Sequence, residues 1–154
     1  VCNWTKTSNY HECQHNLRYW LNLPYIGIGA GAHSWYKQHR YTNTKLPYHY
    51  IQRINSNPDK HPLATHPGTQ ATIQSTLIDD ETEMNETMML GLHLLVNGVS
   101  YRDFEKRFGT KLEHQYKRTL SHLEDKGLIQ IGSTNVRLTS SGRLLANRVF
   151  SEFV

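Results

Sequence analysis

The segment Cys13-Gln14-His15-Asn16-Leu17-Arg18-Tyr19-Trp20 gathers more chemically capable side chains than any other short stretch of the chain. An imidazole nitrogen can ligate a heme iron axially, tyrosine and tryptophan rings can lie against a flat macrocycle, and an arginine can pair with a propionate carboxylate. A histidine beside two aromatic residues is also commonly a hydrogen-bonded packing residue. On residue types alone both readings stand.

A second candidate is Gly27-Ile28-Gly29-Ala30-Gly31-Ala32-His33-Ser34. It has the outline of a dinucleotide fingerprint with alanine last, but the context is wrong. Trp35 to Arg40 leads into Asn, Thr and Pro rather than into an amphipathic helix, and the acidic residue expected about 20 positions on is missing. What alternating glycines do permit is close approach of a backbone to a ligand at a strand end.

The remaining donors are scattered. His33, His39, His49, His61 and His66 show no zinc-like pairing, and His93, His114 and His122 read as surface or satisfied packing residues. Cys2 and Cys13 are the only cysteines. Two thiols do not complete the three or four thiolates that iron–sulfur clusters usually take. Without a secretory signal, they favour a reduced, cytoplasmic setting.

These residues need elements to position them. At 154 residues the length suits one domain, or a small domain plus part of another, and a start at Val1 without Met suggests a piece of a longer protein. Residues 1–57 hold short apolar runs such as Tyr25 to Ile28 between polar, glycine-rich turns. Residues 58–78, with Pro58, Pro62, Pro67 and Gly68, read as a linker.

From residue 79 the helix punctuation is clear. Asp80 with Glu83 forms a capping box, after which Met84, Met88, Leu92 and Leu95 share one face as far as a stop at Gly98. Ser100 opens a helix with Tyr101, Phe104 and Phe108 inward, closed by Gly109. Thr110 with Glu113 opens another, with Leu112, Tyr116, Leu120 and Leu123 inward and Gly127 at its end. Leu128 to Ile131 and Val136 to Leu138 form a hairpin, and a helix from Ser140 carries Leu144, Leu145, Val149 and Phe153. Helices, a small hairpin and a closing helix make a winged-helix pattern.

The net charge is +4, unevenly placed. Between Glu12 and Asp59 there is no acidic residue, while Arg18, Lys37, Arg40, Lys45 and Arg53 share the stretch with Tyr19, Trp20, Tyr25, Trp35, Tyr36, Tyr41, Tyr48 and Tyr50. Such a surface suits a flat anionic partner: nucleic acid, or a porphyrin bearing carboxylates. A barrel rim whose acidic neighbours come from elsewhere would read the same way. For DNA, Lys111, Lys117 and Arg118 could meet phosphates, but Glu113, Glu124 and Asp125 on the same stretch would repel them. No run approaches the roughly 18 to 20 apolar residues of a membrane span.

Taken in order and at this distance, Cys-x-His-Asn-x-x-Tyr-Trp (13–20) and Tyr-x-Gly-x-Gly-Ala-Gly-Ala-His-Ser (25–34) resemble the HemW branch of the coproporphyrinogen oxidase-like radical-SAM proteins. Arg40 to Asn43, Tyr48 to Tyr50, Glu83 with Met88 to Leu92, Phe104 to Gly109, Leu123 to Leu128 and Leu138-Thr139 with Gly142 extend the resemblance over essentially the whole chain. The opening Val1 to Trp4 resembles a family segment that usually has Ser at position 2, and Gln14 stands where the family commonly has Arg. The resemblance implies an α+β fold. Residues 1–57 would be the terminal segment of a radical-SAM partial (β/α) barrel, 58–78 a linker, and 79–154 a helical, winged-helix-like C-terminal domain.

The resemblance further implies a heme-trafficking chaperone that passes heme to client proteins, with heme held by His15, Asn16, Arg18, Tyr19 and Trp20 and His15 on the iron. Gly27, Gly29, Gly31, Ala32 and Ser34 would line an S-adenosylmethionine or substrate cavity. The family's [4Fe-4S] cluster sits on a Cys-x-x-x-Cys-x-x-Cys loop, which this chain lacks. The alternatives are a fragment of an oxygen-independent coproporphyrinogen III oxidase, and a winged-helix nucleic-acid binder.

Overall fold

The computed structural model describes residues 13–57 and 68–154. Val1 to Trp4, His61 and His66 lie outside the described residues. In chain order, α1 (Gln14–Trp20) is followed by β1 (His33–Tyr36), β2 (His39–Asn43), α2 (Pro47–Ile54) and β3 (Thr72–Leu77). Then come α3 (Asp80–Gly91), β4 (Val99–Ser100), α4 (Tyr101–Phe108), α5 (Leu112–Gln115), α6 (Lys117–Asp125), β5 (Ile129–Ile131), β6 (Asn135–Leu138), α7 (Ser140–Leu144) and α8 (Ala146–Phe150). The fold is α+β, and the chain divides into two compact units. One comprises the described residues 13–22 with Met84–Val154, the other Leu23–Glu83.

The first unit is built on apolar stripes at helical spacing. Met88 and Leu92, Phe104, then Leu112, Tyr116, Leu120 and Leu123 converge with Ile129, Val136, Leu138, Val149 and Phe153 into one buried cluster, with Met84, Leu95, Tyr101 and Phe108 packed against it. The stripes expected on α3, α4 and the 111–126 stretch all face this core. Ser100 caps α4 by accepting from the Asp103 amide, and a left-handed Gly109 ends it. The hairpin β5–β6 forms as expected, and β4 adds a third strand through Val99 opposite Val136 and Ser100 opposite Asn135.

Several boundaries differ from expectation. The cap of α3 is Asp79 rather than Asp80: its carboxylate accepts from the Thr82 amide at 2.8 Å. The helix stops at Gly91, well short of Gly98, which lies after a further turn and leads into β4. No Thr110 cap forms. Lys111 precedes α5 without a side-chain cap, and Tyr116, at φ −113 and ψ 23, separates α5 from α6. Tyr116 is committed to the core, and its hydroxyl donates to Asn85 at 2.6 Å.

The closing helix breaks likewise at Leu145, so Leu144 is 87% and Leu145 48% exposed while Val149 and Phe153 are buried. The inward face of α7 is Gly142, where a Cβ would fall 1.8 Å from the Leu128 carbonyl oxygen. Only a glycine lets the backbones meet there.

The second unit is an antiparallel sheet in the order β1-β2-β3 with α2. Its third strand, β3, lies in the stretch expected to be a linker. Tyr25 to Ile28 does not form a buried strand: Tyr25 bridges Trp35, but Ile28 is 88% exposed. Buried here are Ser34, Trp35, Asn43, Thr44, Ala71, Thr72, Ile78 and Glu83, a set with more polar than apolar members. Among the described residues no helix is long and apolar enough to cross a membrane.

Candidate functional site

α1 follows from its own sequence only in part. It has no side-chain cap at Cys13 and buries no residue completely, yet seven residues at about 100° each give it two distinct flanks. His15, Arg18 and Tyr19 fall within roughly one third of the circumference, and all three are exposed. The rings of His15 and Tyr19, one turn apart, meet edge to face at 5.0 Å. No hydrogen bond among the described residues engages the His15 imidazole. Asn16, Leu17 and Trp20 occupy the opposite flank and are half-buried. The five residues expected to meet heme therefore do not share one surface.

Trp20 stacks on His93 with ring centroids 4.5 Å apart and planes 13° from parallel, and His93 stacks in turn on Phe150 at 4.3 Å. The His93 Nδ1 lies 2.9 Å from the Met89 carbonyl. A carbonyl only accepts, so Nδ1 carries the proton. Past α1, Asn22 adopts φ 48, is buried, and donates through Nδ2 to Thr87 Oγ1 at 3.1 Å. Arg107 donates to the carbonyls of Leu21 at 3.3 Å and Asn22 at 2.7 Å. His93 is thus a satisfied packing residue, as its sequence reading has it, whereas Asn22 and Arg107 escape sequence reasoning because their partners lie 65 to 86 positions away and nothing local marks them.

The Gly27–Ser34 loop is tightly engaged within its own unit. The Gly27 amide donates to the buried Ser34 hydroxyl at 3.0 Å, and a Cβ at Gly27 would strike the His33 carbonyl at 2.1 Å. Gly31 donates to the Thr44 carbonyl, Ala32 to the Gly29 carbonyl, and Asn43 Nδ2 to the Gly29 carbonyl at 3.1 Å. Gly29 has φ 109 and open space beside it, so a side chain there would be strained rather than crowded. The glycines thus have a conformational reason, and Ser34 spends its oxygen on the loop.

Cys13 is a free, exposed thiol. Among the described residues no three His, Cys, Asp or Glu side chains are grouped to hold a metal ion, and the sequence's two thiols do not suit a [4Fe-4S] cluster. In the first unit, burial pushes the Tyr101 phenol up, and the carboxylates of Glu113 and Glu124 push it further.

Residues 78–145 match the HemN C-terminal domain family. The chain is 35% identical over 147 residues to the heme chaperone HemW of Bacillus subtilis (strain 168), covering 93% of this chain and 35% of that protein. It is 29% identical over 143 residues to the heme chaperone HemW of Lactococcus lactis subsp. lactis (strain IL1403), covering 93% and 34%. The fold is similar to that of coproporphyrinogen III oxidase (HemN) from Escherichia coli, described as a radical SAM enzyme, with a TM-score of 0.57 and 17% identity over 85% of this chain and 28% of that one. The chain spans about a third of the length of the curated relatives it matches. Residues 78–145 thus carry a HemN C-terminal domain, in a chain similar along 93% of its length to heme chaperones named HemW.

Proposed function

We propose that this chain binds heme through the exposed flank of α1, as cargo to be passed to heme-accepting client proteins in the cytoplasm. The observation that carries the reading is the His15 imidazole, exposed and with no hydrogen-bond partner among the described residues, on the same flank as Arg18 and Tyr19. His15 supplies the axial nitrogen, the Tyr19 ring a wall, and the Arg18 guanidinium a partner for a propionate. Trp20 and Asn16 serve the same site from the inner flank. An exposed ligand suits a carrier, because cargo held at a surface can be taken by an acceptor.

Around this site, residues 1–57 would complete a partial barrel and 79–154 form a winged-helix-like domain, a reading supported by the sequence of α4, α5, α6 and the β5–β6 hairpin. The open side of the loop at Gly29 would face S-adenosylmethionine or substrate in a protein that holds them.

Titrating the protein with hemin tests the central reading. A shifted Soret band that is lost or weakened in His15→Ala supports it. An identical spectrum and affinity in that variant removes His15 and the proposal with it.

A further inference from the structure

A seven-residue helix without a side-chain cap or a completely buried residue has little reason to persist in water, since isolated helices shorter than about 12 to 15 residues are marginal. The common flank of His15, Arg18 and Tyr19 exists only while α1 is wound. Among the described residues, what holds it wound lies at its trailing end, and most of it comes from the HemN C-terminal domain. From this we infer that His93 and Arg107 are positioning residues for heme capture, acting on His15 through α1 without touching the ligand. The inference rests on the heme reading given above.

Three independent attachments make the case. The first is aromatic: Trp20, His93 and Phe150 form a continuous stack, and the proton on His93 Nδ1 is committed to the Met89 carbonyl, which fixes the plane on which Trp20 rests. The second is the Arg107 fork, donating to the Leu21 and Asn22 carbonyls just past the helix end. A cation there also opposes the partial negative charge of a helix C-terminus. The third is Asn22 itself, a residue type that tolerates the left-handed backbone it adopts, buried and tied to Thr87 of α3.

Trp20 lies about 140° around the helix from His15, so locking Trp20 against the domain leaves the imidazole turned outward. Two aromatic residues of the motif thereby divide the labour: Tyr19 accompanies the ligand, and Trp20 sets the helix. The domain thus takes part in the heme site through α1.

The test uses the whole chain and hemin, with His93→Ala, His93→Phe, Arg107→Ala and His15→Ala. Without hemin, amide hydrogen exchange of residues 14–21 should rise in His93→Ala and in Arg107→Ala. Hemin affinity should fall by about 10-fold or more, the usual cost of removing an outer partner of a metal ligand, and the Soret envelope should move toward that of His15→Ala. His93→Phe keeps the stack and should restore affinity and spectrum. Arg107 lies outside the core cluster, so its variant should keep the parent's thermal melt, and it decides the matter if His93→Ala unfolds. Unchanged exchange and unchanged hemin affinity in Arg107→Ala and any folded His93→Ala would overturn the inference while the heme reading stands. Faster exchange in both, with hemin binding indifferent to His15→Ala, would sink the heme reading instead and reduce His93 and Arg107 to helix anchors.

Discussion

The two units bury different materials. The unit of residues 13–22 and Met84–Val154 closes over Met88, Leu92, Phe104, Leu112, Leu123, Val136 and Val149, all essentially inaccessible to water. The Leu23–Glu83 unit buries Ser34, Asn43, Thr44, Thr72 and Glu83 along with Trp35, Ala71 and Ile78, and leaves Ile28, Leu46, Tyr48, Ile51 and Leu77 outside. One body buries almost only apolar side chains, the other more polar side chains than apolar ones. That difference explains why the proposed ligand helix is anchored where it is: a short helix gains most from a platform whose own packing does not shift.

The contrast breaks most visibly in the apolar core. Phe104→Ala should cost about 3 to 5 kcal/mol, because the ring packs on Phe108 and Tyr116 and its removal leaves a cavity that this core cannot fill. Chemical denaturation with helix content as the readout measures it, and a loss below about 1 kcal/mol would mean that the core is far looser than its burial indicates.

Asn43→Ala probes the polar body and should cost less, about 1 to 3 kcal/mol. Its side chain joins two segments, donating to the Gly29 carbonyl at 3.1 Å and accepting from the Thr72 hydroxyl at 3.3 Å. The loss should appear as faster amide exchange in residues 29–44 and 72–77, with the apolar unit unchanged. Equal loss of protection in both units would show that they unfold together and would erase the distinction.

How far the sequence discloses this arrangement follows the same divide. Apolar spacing exposes the stripes of α3, α4 and α6 because burial selects residue type every three or four positions. It does not expose the breaks at Tyr116 and Leu145, which no glycine or proline marks. Nor does it expose β3, whose Thr-Ile-Gln-Ser-Thr-Leu lacks a clean alternation because the strand buries little beyond Thr72. In the candidate site, the spacing of His15, Arg18 and Tyr19 places them on one exposed flank. Residue types cannot show that Asn16 and Trp20 turn away, since that depends on a stack with His93 assembled across the chain.

A smaller effect should come from the turn joining β1 and β2. Lys37 and Gln38 both have positive φ, 48 and 60, in a two-residue hairpin where Asn-Gly is the usual choice. The Gln38 carbonyl accepts from Ile78 and its side chain bonds Asp80, so tertiary contacts hold a turn that local preference disfavours. Lys37→Gly relieves part of that strain and should stabilise the polar unit by about 1 kcal/mol, read as a higher denaturation midpoint. A lower midpoint would mean that the lysine side chain contributes more than its backbone costs.

The smallest effect is expected at Asp79, and it carries a sign that pH reveals. Hydrogen bonds from the Thr82 side chain and then its backbone amide hold this carboxyl below its ordinary 3.8, against a weaker push from burial. A carboxylate with a depressed folded-state pKa stabilises the fold above its unfolded pKa, and the contribution fades as pH falls through the lower folded value. The melting temperature of the parent should therefore exceed that of Asp79→Ala at neutral pH, and the gap should narrow once the pH drops below 3.8. Asp80→Ala, at the position that the sequence pattern favours as the cap, should show less of this dependence, because Asp79 rather than Asp80 accepts the Thr82 amide. A gap that stays constant down to strong acid would place the stabilisation in the side chain's shape rather than its charge, and the start of α3 would then owe nothing to the carboxylate.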